Sequence, residues 1–170
     1  MNPQFRSQSG RRHPREREKS EFDQKTIDLA RVTRVVAGGK RMRFRACVVI
    51  GDRKGRVGMG VAKGTNVQMS VEKASTVAKR HLVKVVLYGN TIPHAINLKF
   101  KAARILLKPA PTGSGVIAGG AARAVLDLAG IHDVVSKMLG SKNKINNVQA
   151  VILALSKLRP RNVKGKTVTE

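Results

Sequence analysis

Alternating apolar and polar side chains between residues 25 and 63 predict three consecutive β-strands. On the clearest of these strands, Arg41, Arg43 and Arg45 fall on one face. The opposite face is apolar and consists of Met42, Phe44, Ala46, Val48 and Ile50. Because successive side chains on a strand point to opposite faces, the apolar face is expected to be buried and the other to display three guanidinium groups.

A glycine turn and a polar loop separate these strands. The turn spans residues 37–40 (Ala-Gly-Gly-Lys), and the loop, residues 51–56, carries three more cations. Apolar residues then recur at the helical period, at Val67, Val71, Ala74, Ala78, Leu82 and Val85. Thr65 and Gln68 match a capping box at the start of this helix. Three strands and one helix are therefore predicted to form a first α+β unit over residues 22–88.

A second unit is predicted to begin after residues 88–90 (Tyr-Gly-Asn), which interrupt the pattern. Strands are predicted over three segments, residues 91–99, 104–108 and 133–139. An alanine-rich helix is predicted over residues 121–129, stopped by Gly130, and a last helix follows Asn143 as its N-cap. These elements define a predicted second domain over residues 89–158.

The balance of charge indicates a polyanionic partner. The chain has 34 Lys and Arg against 10 Asp and Glu, a net charge of +24 on 170 residues, and a pI near 11.6. Between Asp28 and Asp127 the only carboxylates are Asp52 and Glu72, so the excess runs through the folded part. Such charges repel one another in a compact chain, and an adjacent nucleic acid would neutralise them. Aromatic residues make up 3%, which favours recognition of the backbone and shape of structured RNA, or of DNA phosphates, over base stacking.

The termini and the single cysteine restrict the class of protein further. Residues 1–21 are predicted to be a flexible basic arm and residues 159–170 a basic tail; for the arm, passive solubilisation and phosphate contact both stay open. Cys47 allows no intrachain disulfide and lies in an apolar run, so it is predicted to be a small buried hydrophobe. The chain shows neither a secretory signal nor an apolar stretch of bilayer length, which predicts a soluble cytoplasmic protein without a membrane partner.

Several short segments share their order and spacing with a known protein family. They are residues 34–41 (with the Gly38-Gly39-Lys40 turn), 51–52, 55–58, 107–110, 113–120, 123–126, 129–131, 139–141 and 145–146. These segments, within residues 25–158, resemble the bacterial small-subunit ribosomal protein S-five family. The chain departs from the family at residues 101–103 (Lys-Ala-Ala), where glycines are frequent, and at Lys144, where proline is frequent.

The resemblance implies a fold and a cellular role. The implied fold is α+β: an N-terminal three-stranded antiparallel sheet with one helix, similar to a double-stranded-RNA-binding domain, then a C-terminal α/β (β-α-β-α) domain with an unusual βαβ connection. The implied partners are small-subunit (16S-type) rRNA and the neighbouring ribosomal proteins S-four and S-eight, with mRNA nearby. The turn over residues 36–41 matches the family's loop beside the spectinomycin site on a mobile rRNA helix.

Two groups of candidate site residues follow. The predicted rRNA-binding residues are Arg34, Gly38, Gly39, Lys40, Arg41, Arg43, Arg45, Arg53, Lys54, Arg56 and Lys63. RNA or neighbour-protein contact is predicted for Arg104, Thr112, Gly113, Ser114, Gly115 and Arg123. The alternative is that these cations are merely solvated, or mobile where they lie in loops. Because few acids are available as internal partners, phosphate contact is favoured.

The glycine-rich run of residues 113–120 raises an enzyme hypothesis. It precedes a helix, so its amides are suited to cradle a phosphate, as in small-molecule kinases to which the family's second domain is related in fold. The run matches neither the phosphate-loop nor the dinucleotide pattern, and carboxylates for magnesium and a base are nearly absent. The four histidines, His13, His81, His94 and His132, are scattered and indicate neither a zinc site nor a catalytic dyad. No catalytic residue, metal, cofactor or small-molecule substrate is predicted.

The preferred hypothesis is therefore a non-enzymatic ribosomal protein. It would be a structural constituent of the small ribosomal subunit that binds rRNA, braces it where mRNA enters and is decoded, and supports translational accuracy. The alternative is a free-standing double-stranded RNA-binding regulator or RNA chaperone, and a small-molecule kinase is the second rival. Presence in small subunits in stoichiometric amount distinguishes the first hypothesis from the free-standing RNA-binding alternative. Binding of magnesium-ATP by the purified protein would favour the kinase.

Overall fold

The computed structural model describes residues 21–160, and the N-terminal part of this range is an antiparallel sheet with one helix. The strands, in their order across the sheet, are β1 (Asp23–Val36), β2 (Gly39–Gly51), β3 (Arg56–Gly64) and β4 (Leu82–Lys84). Helix α1 (Val67–Arg80) packs against β2 and β3. Residues 1–20 of the predicted arm and 161–170 of the predicted tail lie outside the described residues.

The C-terminal part is a second sheet with two helices on one face. Its elements are β5 (Ile96–Phe100), β6 (Ala103–Pro109), β7 (Val116–Ile117), α2 (Gly120–Ala129), β8 (Val134–Gly140) and α3 (Lys144–Ser156). The strand order is β5-β6-β8-β7, and β7 runs parallel to β8, so that β7, α2 and β8 form a βαβ unit. The predicted fold class, an antiparallel sheet with a helix followed by an α/β domain, is confirmed, and β4 extends the three predicted strands to four. Within residues 21–160 no helix is both long and apolar enough to cross a bilayer.

The start and end of α1 differ from the prediction. Its N-cap is Asn66, which makes no side-chain capping bond, and the Thr65 hydroxyl donates to the sulfur of Met69 instead, so the predicted capping box is wrong. The helix ends at Arg80, and Leu82 continues as strand β4 beside β3. Leu82 and Val85 fit the helical spacing, but they do not belong to the helix. A strand that follows a helix can place apolar side chains against the same core, so the spacing alone does not distinguish the two.

The predicted strand over residues 91–99 is also shorter than expected. Residues 91–95 belong to no regular strand, and Thr91 forms only an isolated β-bridge with Tyr88. Pro93 has no amide hydrogen to donate to a sheet, which explains why regular pairing starts only at Ile96. The last helix begins as predicted, because the Asn143 side chain accepts a hydrogen bond from the Ile145 amide at 3.0 Å.

The β1–β2 hairpin extends well beyond the rest of its sheet. These two strands pair continuously to the turn apart from a bulge between Thr26 and Asp28, whereas β3 pairs only with residues 44–51 of β2. Residues 32–36 and 39–43 therefore form a two-stranded arm about 17 Å long, at about 3.3 Å per residue. A long two-stranded arm buries little surface by itself, so its sequence is free to serve contacts with a partner.

The two halves of the chain share one hydrophobic core. On one face of the N-terminal sheet, Ala46, Val48 and Ile50 pack with apolar residues of α1. On the other face, Val49 and Val57 belong to a larger cluster that includes α2, α3 and the inner face of the C-terminal sheet. The sheet is therefore covered on both sides at this end. The division of the chain into domains at residue 88 stays a prediction.

Backbone contacts lock the β2–β3 loop to the end of α2. The amides of Arg53 and Gly55 donate to the carbonyl oxygens of Leu128 and Ala129, both at 3.0 Å. These carbonyls lie in the last turn of a helix and lack partners within it, so the loop acts as their cap. Gly130 has a φ of 81° and a Cβ there would collide with the Arg53 carbonyl, which explains the need for glycine.

Candidate nucleic-acid interface

Five cations share one face of the N-terminal sheet at its hairpin end, and we call this face the hairpin surface. They are Arg34, Arg41, Arg43, Arg45 and Lys63. The strand register places Arg34 directly opposite Arg41, and Arg45 directly opposite Lys63. Like charges in directly opposed positions destabilise a sheet. Four of the five cations lie within residues 29–51, a segment that contains no acid.

The outer part of the hairpin surface is a shallow cationic groove. Its cavity has a volume of about 290 Å³ and is lined by Arg34, Arg41, Arg43 and Lys63 together with Val32 and Thr33. Among residues 21–160, no ion pair or side-chain hydrogen bond engages these four cations. Their charges are therefore available to an external anion.

Arg45 differs from the other members of the hairpin surface. Its guanidinium is 3.3 Å from the Asp28 carboxylate, and both side chains are partly buried. Asp28 also lies 3.5 Å from the Lys144 ammonium at the start of α3. The sequence pattern treats the three strand arginines alike, whereas the structure separates one internally paired arginine from two displayed ones.

The tip of the hairpin is open. At Gly38 and Gly39 a Cβ would meet no atom within 4 Å among the described residues, and Lys40 beside them is exposed. Gly39 has a φ of 144°, which suits glycine, so the tight turn rather than crowding explains this residue. The contact of these three residues with rRNA stays a prediction.

The cations of the β2–β3 loop are held by acids from the same half of the chain. Arg53 lies 2.9 Å from Asp23, and Arg56 lies 2.6 Å from Asp52 and 2.8 Å from Glu21. Arg56 also lies over the Phe22 ring, 5.1 Å from its centroid. Lys54 has no such ion pair within residues 21–160. The loop thus contributes less uncompensated charge than its sequence indicates.

Asp52 organises this loop. Although burial opposes ionisation of the carboxyl group, the Arg56 side chain and the backbone amides of Lys54 and Arg56 donate hydrogen bonds to it. These bonds outweigh the burial and hold the pKa of Asp52 below its ordinary value of 3.8. The same carboxylate therefore fixes both the loop backbone and the position of the Arg56 guanidinium.

The backbone amides of the glycine-rich run bind a carboxylate of the same chain, that of Asp133. The amides of Gly113 and Gly115 both donate to Oδ1 of Asp133, each at 3.0 Å, and Asp133 is buried. Two amides that point at one carboxylate oxygen form the type of anion cradle that the kinase hypothesis requires for phosphate. Since Asp133 occupies it, these amides are not free for a nucleotide. Ser114 is half-buried and Thr112 is exposed, so of the two the threonine is the more accessible.

Sequence reasoning missed the role of Asp133. It placed this residue at the start of a predicted strand, residues 133–139, and gave it no site role, because nothing in the pattern links it to glycines about 20 positions earlier. The useful signal was the small number of acids in the chain, which is ten. An acid that is buried, as Asp133 is, needs hydrogen-bond donors from the chain itself.

A second basic surface covers the outer face of the C-terminal sheet, and we call it the open sheet face. Helices α2 and α3 cover the opposite face of this sheet. The open face carries the cations Lys99, Arg104, Lys108 and Lys137 and the apolar side chains Leu106, Val135 and Leu139. Of these, the sequence predicted only Arg104, although alternation along β6 and β8 was a signal for the rest. Arg123 is elsewhere, on α2, where it donates to the Val116 carbonyl at 3.0 Å.

The acidic, histidine and cysteine side chains of residues 21–160 form no group of three or more that could hold a metal ion. Cys47 is fully buried, as predicted. Burial, with a smaller contribution from the Asp28 charge, raises the pKa of its thiol to about 11. A neutral, inaccessible thiol is neither a metal ligand nor a nucleophile at physiological pH.

Comparison with known proteins gives matches over nearly the whole described range. Residues 22–86 match the family Ribosomal protein S5, N-terminal domain, and residues 98–164 match Ribosomal protein S5, C-terminal domain. The chain is similar to the small ribosomal subunit protein uS5 of Thermus thermophilus, with 49% identity over 142 residues, 84% of this chain and 88% of that protein. The proteins of the same name from two further strains of that species give the same values.

Proposed function

Because the chain belongs to the ribosomal protein S5 family of the small ribosomal subunit, we propose that it binds small-subunit rRNA through the hairpin surface and braces it near the place where mRNA enters and is decoded. The chain is a structural, non-enzymatic ribosomal protein, and its partners are rRNA and other ribosomal proteins. Its place in the cell is the ribosome. Bracing of the rRNA is the proposed route by which it supports translational accuracy.

The single observation that carries this proposal is the register of the hairpin surface. Arg34 faces Arg41 and Arg45 faces Lys63, while within residues 21–160 the only acid paired with this set is Asp28. Arg34 and Arg41, which have no acid partner among the described residues, repel each other in the free protein, and a phosphate between them converts the repulsion into attraction on both sides. The displaced counterions add an entropic gain.

The hairpin arm explains how a small protein braces RNA. Its two strands reach about 17 Å beyond the third strand, so the cations at its end contact RNA that the body of the protein does not touch. The base of the arm is fixed, because the same strands are packed between α1 and the C-terminal helices. A rigid base with a charged extension holds phosphates of separate RNA segments at a set distance.

The open sheet face is the proposed site for a neighbouring ribosomal protein. Its cations alternate with Leu106, Val135 and Leu139, and a surface of this mixed kind suits a partner with both acids and apolar side chains better than RNA alone. We assign contacts with the proteins S-four and S-eight to this face and to the adjacent loop around Thr112.

The test is the salt dependence of binding to protein-free small-subunit rRNA. Arg34→Ala, Arg41→Ala and Arg43→Ala together should lower the slope of log affinity against log salt by about 2 to 3, since each phosphate contact contributes roughly 0.7 to 0.9. The matched control replaces Lys99, Lys108 and Lys137 of the open sheet face by Ala, which removes the same net charge. An equal change of slope in the two triple variants would reject the assignment of RNA binding to the hairpin surface.

A further inference from the structure

A cleft lies between the two halves of the molecule, and none of its lining residues belongs to either basic surface described above. It has a volume of about 590 Å³, within the range of about 300–1,000 Å³ that is usual for ligand sites. One wall is the start of β1, and the other is built from the N-terminal ends of α2 and α3 and the end of β8. Its size and its position between two halves are typical of a binding site rather than of loose packing.

The rim of this cleft is positively charged. Lys25, Lys142 and Lys144 line it and are exposed, and of these Lys144 alone has an ion pair within residues 21–160, with Asp28. The first turns of α2 and α3 contain no acid, and the N-cap of α2, Gly119, offers no side-chain acceptor to the free amides. Helix N-termini carry partial positive charge, so the rim favours an anion.

The floor of the cleft requires a hydrogen-bond donor in addition to negative charge. Asn147 is 3% exposed, its Nδ2 donates to the Ser141 carbonyl at 3.0 Å, and its Oδ1 has no hydrogen-bond partner within the described residues. Exchanging the two ends of this amide would place its oxygen against the Ser141 oxygen, so the bond to Ser141 fixes the orientation. A buried acceptor without a partner calls for a ligand that carries an N–H or O–H donor.

We propose that this cleft binds one ribonucleotide of the rRNA that is displaced from its helix. The lysines at the rim hold its phosphate, and Asn147 Oδ1, which is enclosed in this structure, turns toward the cleft to accept a hydrogen bond from its 2′-hydroxyl or its base amino group. Ile27, Ala121 and Met138 form an apolar wall for the flat side of the sugar or base. This inference rests on the proposed rRNA binding, to which it adds a site that reads a single nucleotide.

A free phosphate ion carries its own O–H and would satisfy the lysines and Asn147, but it would fill little of the volume of about 590 Å³ and leave the apolar wall uncovered. An apolar ligand would leave the lysines and Asn147 unsatisfied. An acidic peptide supplies a carboxylate and an amide and is the other class of occupant. The net charge of +24 favours RNA, because RNA offers far more charge per contact area than a peptide does.

The experiment rebuilds small subunits with the full-length chain and probes every rRNA nucleotide for 2′-hydroxyl and base reactivity. The wild-type chain should protect one unpaired nucleotide. Lys25→Gln with Lys142→Gln removes rim charge, and Ala121→Leu fills the cleft from an apolar wall. Either change should raise the reactivity of that nucleotide by roughly tenfold, the factor expected for loss of one charge-assisted contact. Lys73→Gln with Lys79→Gln, on the exposed side of α1, is the matched charge control.

The outcomes separate this inference from the proposed function. If the hairpin variants flatten the salt slope but neither cleft variant changes any nucleotide, rRNA binding stands and the cleft proposal is overturned. If Lys25 or Lys142 instead crosslinks to an acidic segment of a neighbouring protein, the occupant is a peptide and the nucleotide assignment is overturned. A nucleotide exposed equally by the cleft variants and by the α1 control also rejects it.

Discussion

At the scale of single residues, the few acids decide which cations are structural and which are displayed. Asp23, Asp28, Asp52 and Glu21 each hold an arginine, and all four acids lie in or beside the N-terminal sheet. The cations at the end of the hairpin have no such partner within the described residues. Which cations are left without an ion pair thus depends on the positions of the acids as much as on the positions of the cations.

This sorting was not predictable from the sequence. Arg56 and Glu21 are 35 positions apart, and Arg45 and Asp28 are 17 apart, so only the folded hairpin brings them together. Spacing along one strand did predict that Arg41, Arg43 and Arg45 share a face. The spacing did not reveal that Asp28, next to a β-bulge in the neighbouring strand, would pair with Arg45.

Replacement of Asp52 should change the pH dependence of stability. The folded-state pKa of Asp52 is below 3.8, so its carboxylate stabilises the fold above pH 3.8, and that contribution is lost as pH falls through the folded-state value. Asp52→Asn should therefore unfold more easily than the wild type at neutral pH, and the difference should shrink below pH 3.8. Urea denaturation from neutral to acid pH measures this, and a difference that stays constant into acid would contradict it.

The thiol of Cys47 should be inert in the folded protein. Since burial raises its pKa to about 11, almost no thiolate exists at pH 8 and reagent has no access to it. A chromogenic thiol reagent should react slowly with the native chain and at once in denaturant. Fast reaction in the native state would show that the β2 strand opens readily.

At the scale of elements, the segments with strong local signals were predicted well. The strand β2, the helix α2 with its stop at Gly130, and the cap at Asn143 all carry their cause within a few residues. Errors arose where a distant partner decides the outcome. Strand β4 exists because β3 offers it a free edge, and nothing between Leu82 and Lys84 distinguishes it from another helical turn.

The contact between Asp133 and the glycine-rich run should be measurable. Asp133→Ala removes the acceptor for two amides and should lower the free energy of unfolding by about 2 kcal/mol, the usual contribution of hydrogen bonds to a charged group. Asp133→Asn keeps an oxygen acceptor and should cost less. Asp127→Ala, at an exposed acid on α2, is the control in urea denaturation. A cost for Asp133→Ala no larger than that of the control would show that the loop holds its shape without the carboxylate.

At the scale of the whole molecule, the partner class could be predicted from charge before the shape was known. A net charge of +24 with long acid-free stretches predicts a polyanionic partner whatever the fold. The shared core was not foreseeable, because apolar alternation says that a sheet face is covered but not by which part of the chain. Val49 and Val57 needed the positions of α2 and α3 before their environment was known.

Screening of the positive surface should stabilise the free protein. Raising NaCl from ~10 mM to ~500 mM shortens the range of repulsion, so the melting temperature should rise by about 3 °C or more, which corresponds to about 1 kcal/mol for a chain of this size. The variant with Ala at positions 34, 41 and 43 should show a smaller rise, since less repulsion remains to be screened. A melting temperature that falls with salt would mean that internal ion pairs outweigh the repulsion.

Because the two halves share one core, the N-terminal sheet is not fully covered until late in synthesis. Val49, Val57 and Val85 are made first, whereas α3, which completes their cover, ends at Ser156. Roughly 70 residues must be added in between, which takes on the order of 4–14 s at about 5–20 residues per second. During those seconds the nascent chain displays an apolar sheet surface, and a chaperone that recognises such surfaces has that interval in which to bind it.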